Sequence, residues 1–107
     1  MMMYTALRVS SSGKDWEMDY EGSTVEEIRD MVNKALKSGF FSLEVLSYIF
    51  VLRVEVEKKL GFGIFLGEKR FMESIIADVI VGPKSLKGQT VAKMFEWIDE
   101  HNQKRLM

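Results

Sequence analysis

Apolar and polar residues alternate without a break from Asp15 to Glu21. Trp16, Met18 and Tyr20 fall on one side, and Asp15, Glu17, Asp19 and Glu21 on the other. A period of two is the signature of a strand. The preceding run Tyr4–Val9 reads as the first arm of a β-hairpin over residues 3–21, reversing at Ser12-Gly13. Glycine suits that turn because it accepts positive φ. The turn sets Val9 opposite Trp16, Leu7 opposite Met18 and Arg8 opposite Glu17. The apolar residues of both arms then share one face, and the four acids point outward.

Past the hairpin the period lengthens. Val25, Ile28, Met31, Val32, Ala35 and Leu36 form one stripe, which predicts a helix over 24–38. Ser23 with Glu26 three residues on makes a capping box, and Lys37 before Gly39 suits the far end. Segment 43–60 reads two ways. As a strand, Tyr48, Phe50, Leu52, Val54 and Val56 alternate. As a helix, Ser42 caps the start and Gly61 ends it. Eighteen or so residues is long for a strand, so length favours the helix. Phe71, Met72, Ile75, Ile76, Val79 and Ile80 share a helical face, predicting a helix over 68–81 that stops at Gly82-Pro83. A last helix is expected over 89–104, with Val91, Met94, Phe95 and Ile98 inward.

The fold class expected is therefore α+β: an N-terminal antiparallel hairpin followed by three or four helices around one core. The chain of 107 residues forms a single domain, 1–107. At this size about 65% of the unfolded surface is buried on folding, and an apolar fraction of 47% can fill that core.

Charge narrows the function classes. Fifteen basic and sixteen acidic residues leave a net charge of −1, which is no field for a strongly basic nucleic-acid binder. The absence of cysteine removes disulfides, zinc thiolates and thiol catalysis, and makes a cytoplasmic setting the expectation. No apolar run approaches the roughly 20 residues of a membrane span. Scarce amides and absent cysteine point to a thermophile, against which stand eight methionines.

Candidate chemistry is sparse. The acid ladder Asp15, Glu17, Asp19, Glu21 is either a solvated outer face that resists edge-to-edge aggregation or a surface for a basic partner. A straight ladder does not wrap a cation as calcium sites do. The loop Gly61-Phe62-Gly63-Ile64-Phe65-Leu66-Gly67 has GxGxxxG spacing, one residue too long for a dinucleotide loop, and lacks the Lys-Ser/Thr of a phosphate loop. His101 has Asp99 and Glu100 only at i−2 and i−1, where neither faces it on a helix. Trp97, beside the apolar stripe of the last helix, is a candidate interface anchor. A helical hairpin over 68–105 would present Lys84, Lys87, Gln89, Thr90 and Lys93 (with Ser85) to nucleic acid.

The function expected from these residues is a small non-enzymatic interaction module, homodimeric and without a cofactor or metal. Its role would be that of an accessory or inhibitor protein such as mobile elements encode. Its partner would be a protein with a basic surface, met by Asp15, Glu17, Asp19, Glu21 and Trp97. The apolar surplus of 43–60 implies either a central buried element or a homodimer face. Nucleic-acid binding through 68–105 is the first alternative. A carboxylate-dependent enzyme is the second.

Overall fold

The computed structural model describes residues 2–39, 47–55 and 73–106. Strands β1 (Met2–Val9) and β2 (Trp16–Gly22) lead into helix α1 (Val25–Lys37). Strands β3 (Tyr48–Glu55) and β4 (Ile75–Val81) follow, then a 3-10 turn (Lys84–Leu86) and helix α2 (Val91–Leu106). The strands form one antiparallel sheet in the order β2-β1-β3-β4. β2 and β3 flank β1 and run parallel to each other, with α1 on the path between them.

The hairpin register is the expected one: Leu7 faces Met18, Arg8 faces Glu17 and Val9 faces Trp16. The reversal is wider than two residues. Ser10 N–H donates to the Asp15 carbonyl at 2.8 Å and Gly13 N–H to the Ser10 carbonyl at 2.9 Å. Gly13 has φ 77°, and a Cβ there would meet the Ile98 side chain at 3.0 Å.

α1 starts one residue later than its first capping signal. Thr24, not Ser23, is the N-cap: its hydroxyl accepts from Glu27 N–H, and the Glu27 carboxylate accepts from Ser23 N–H. Thr24-x-x-Glu27 satisfies the same pattern as Ser23-x-x-Glu26, and the two pairs differ by one position. Gly39, at φ 76°, follows the helix.

Two expected helices give way to strands. Residues 48–55 of the ambiguous segment form β3, and 75–81 of the expected helix 68–81 form β4. The sheet therefore has four strands, and two α-helices are present among the described residues where three or four were expected. Residues 43–46, 56–60 and 68–72 of those segments, and the glycine loop 61–67, lie outside the described residues. β3 is central and buried on both faces, so its apolar residues run on instead of alternating with polar ones. Over Tyr48–Glu55 the segment is thus the central buried element that its apolar surplus allows.

The sheet lies between the two helices. On one face Leu7, Val9, Phe50, Leu52, Val54, Ile76 and Val79 pack against Leu86 and against Val91, Met94 and Ile98 of α2. On the other, Ala6, Ile49 and Val51 pack against Ile28, Val32 and Ala35 of α1. Among the described residues, no helix is long and apolar enough to cross a membrane.

Candidate functional site

The acidic strand β2 lies at an end of the strand order, and its one neighbour in the described sheet is β1. Arg8 of β1 is buried to 10% side-chain exposure and reaches two carboxylates of β2. It donates to Glu17 at 2.5 Å and pairs with Asp19. A guanidinium placed behind a strand offsets part of the repulsion between acids two residues apart. Glu17 remains 68% exposed and Asp19 36%.

The ladder does not continue to Glu21. The pairing slips between Thr5 and Ala6: Ala6 faces Asp19, while Thr5 faces Glu21. Tyr20 is the extra residue, in the left-handed region at φ 65°. A bulge of this kind reverses the alternation beyond it. Tyr20 accordingly packs with the α1-side cluster, away from Met18, which packs on the α2 side. Glu21, paired with Thr5, shares the parity of Leu7 and Val9 and lies opposite to Glu17 and Asp19. Thr5 Oγ1 donates to the Asp19 carbonyl at 3.1 Å across the irregularity. Of the four acids, the structure thus brings Glu17 and Asp19 together on Arg8. It leaves Asp15 exposed in the turn and sends Glu21 to the other face.

Trp16, expected on the inner face, is 42% exposed. It is the first residue of an outer strand, beside the turn. Strand position relative to the sheet edge, which alternation does not report, decides this exposure.

Trp97 is half-buried and held among aromatic rings. His101 stacks on it with centroids 4.9 Å apart and planes 8° from parallel, and Tyr48 meets it edge-on at 6.1 Å. His101 thereby serves as a stacking partner. Asp99 and Glu100 are exposed.

The residues of the nucleic-acid alternative take part in local structure. Lys84 Nζ donates to the Val79 carbonyl. The Gln89 carbonyl accepts from Ile76 N–H at 2.8 Å, and Gly88 N–H donates to the Ile76 carbonyl at 2.7 Å. Thr90 Oγ1 accepts from Lys93 N–H at the start of α2. Lys93 Nζ lies 3.7 Å from Glu96. The first helix of the expected pair is β4, and residues 88–90 run beside that strand, closing off part of its outer side. The recognition geometry of two helices and a turn is absent from the described residues.

A further charged pair escaped the pattern of the sequence. Arg29 of α1 pairs with Asp78 of β4, whose other oxygen accepts from Val79 N–H at 2.9 Å. Burial opposes the charge on Asp78. The hydrogen bond from Arg29, that from Val79 and the charges of Arg29 and Lys87 outweigh it, holding the carboxyl below its ordinary value. The hydrogen bond to Asp78 raises Arg29 in turn. Nothing in the residues 49 positions apart signals this contact before the sheet order is known.

Among the described residues, no three His, Asp or Glu side chains gather as metal donors. Comparison of the chain with protein-family models, with curated proteins and with solved structures gives no match.

Proposed function

We propose that the chain is a small non-enzymatic interaction module that meets a basic surface of another protein through strand β2. The observation that carries this reading is the exposed Trp16 on an outer strand, set between Asp15 and Glu17. Trp16, paired with Val9, projects to the α2 side and Glu17, paired with Arg8, to the α1 side, so a partner lying along this outer strand meets an aromatic anchor on one face and carboxylates on the other. The carboxylates supply long-range attraction to a basic partner and select against acidic ones. An accessory or inhibitor role in the cytoplasm belongs to the same proposal.

The test is affinity capture from cells that express the protein, with the wild type and the Asp15→Lys/Trp16→Ala variant run in parallel. Asp15 is exposed and Trp16 is 42% exposed, and the unfolding midpoint of the variant checks that it keeps the wild-type fold. The proposal expects basic proteins that the wild type retains, that rising salt releases, and that the variant does not hold. Retention of the same proteins by both baits would remove β2 from the interface.

A further inference from the structure

On the opposite layer from Arg8, the 3-10 turn and α2 enclose a groove of about 240 Å³. Pockets for drug-sized molecules run to roughly 300–1,000 Å³, so this one suits a single side chain. Leu86 and Trp97 give it apolar walls, and Gln89, Lys93, Glu96 and Glu100 give it a polar rim. The spacing follows from the helix: Lys93 and Glu100 lie four before and three after Trp97, on the same side of α2.

We propose that this groove receives the cationic end of a lysine or arginine side chain from a partner protein. Three features point to that chemistry. Trp97 lines the groove with its ring already fixed by His101 and Tyr48, so little freedom is lost when a ligand meets it. An indole attracts ammonium and guanidinium groups more strongly than other aromatic rings do. Two carboxylates, Glu96 and Glu100, stand at the rim against one ammonium, Lys93. Lys93 reaches Glu96 at only 3.7 Å and its side chain is 57% exposed, so it is a loosely held internal cation that an incoming one displaces. The apolar wall at Leu86 accommodates the methylene stem behind the charge.

The site does not depend on the β2 proposal, since no β2 residue lines it. The test titrates the amide-capped amino acids acetyl-lysine-amide and acetyl-arginine-amide into the protein. Acetyl-norleucine-amide serves as the uncharged control. The readout is the NMR resonance of the Trp97 indole N–H, assigned with Trp16→Phe. A saturable shift with the two cationic probes and none with norleucine is expected. Glu100→Gln weakens the binding and Lys93→Met, which removes the competing cation, tightens it, each by about two- to fivefold. Both positions are exposed, so neither variant disturbs the fold. Asp15→Lys/Trp16→Ala leaves the titration unchanged, which separates this site from the β2 interface. No saturable shift, an equal shift with norleucine, or indifference to both Glu100→Gln and Lys93→Met would overturn the proposal.

Discussion

Against α2 the sheet presents Leu7, Val9, Phe50, Leu52 and Val54. Against α1, one residue along the same strands, it presents Ala6, Arg8, Ile49 and Val51. The first set is large and wholly apolar, and Leu86, Val91, Met94 and Ile98 close over it. The second set contains a small residue and a buried cation, and its helix is tied to the far strand by Arg29 and Asp78. Apolar burial, joined by hydrogen bonds such as Val91 N–H to the Ser74 carbonyl and Asn102 Nδ2 to the Ser11 carbonyl, holds the α2 layer. The α1 layer combines a thinner apolar contact with charges at two places. Burial is indifferent to pH and salt over the ordinary range, whereas ion pairs respond to both. The two layers should therefore fail under different conditions.

The sharpest way to break this contrast is to empty the α2 layer. Phe50 is wholly buried in the centre of β3. Phe50→Ala is expected to cost about 3–5 kcal/mol of unfolding free energy, from lost transfer energy plus the cavity left behind. On the α1 side Val51→Ala removes less volume and costs less. Denaturant unfolding of the two variants checks the order. Equal losses would mean that the layers are packed alike.

Arg8 comes next. Arg8→Met keeps the length of the side chain and leaves Asp19 and Glu17 facing each other without their cation. Glu17 retains access to water and Asp19 part of it, while the Asp19 oxygen that meets Arg8 is buried, so the loss is about 1–3 kcal/mol. Salt weakens the wild-type ion pairs but screens the two acids left facing each other in the variant, so rising salt should narrow the gap between the two proteins. A melting curve at low and high salt tests both expectations, and a wild-type stability would show that the guanidinium is dispensable.

The same contrast governs what could be read before the fold was known. β2, α1 and α2 each turn one side toward the core and another outward, so their residues alternate at the period of the element, whereas β1, buried on both faces from Thr5 to Val9, is legible through its pairing with β2. β3 is buried on both faces, and Ile49-Phe50-Val51-Leu52 accordingly shows no alternation. β4 misleads for another reason. Its pairing with β3 slips twice, so Ala77 and Ile80 are extra residues and the parity of Ile75–Val81 shifts along its length. Two shifts in seven residues leave Ile75, Ile76, Val79 and Ile80 at the spacing of a helical stripe. The acid ladder was legible as far as Asp19, including Arg8 opposite Glu17. It ended there because Tyr20, a residue with no special tolerance for positive φ, occupies the left-handed bulge.

Asp78 separates the layers by pH. Its carboxyl is held below its ordinary value in the folded protein. Such a group stabilises the fold above its unfolded pKa, about 3.9 for Asp, and the contribution fades as pH falls through the lower folded value. Asp78→Asn should therefore lower the melting point at pH 7 modestly and flatten its decline below about pH 4. Wild type and variant should converge in acid. Parallel curves down to the lowest pH would show that Arg29 draws nothing from the carboxylate charge.

The smallest effect tests which carboxylate holds Arg8. Glu17 is 68% exposed and Asp19 36%, though both reach the same guanidinium nitrogen. An exposed ion pair is worth about 0–1 kcal/mol, because solvent screens the attraction and the side chain loses freedom on pairing. Glu17→Ala should therefore be nearly neutral, and Asp19→Ala should cost more, since Asp19 is the less solvated partner and sits at the bulge. Removing Glu17 also relieves its repulsion with Asp19, which offsets part of the lost attraction. A double-mutant cycle of Arg8→Met with each acid isolates the two couplings. A larger coupling to Asp19 makes Glu17 the outward-facing member of the cluster, stabilising little and left for a partner to meet. A larger coupling to Glu17 would instead bind that carboxylate to the fold and take it out of the proposed interface.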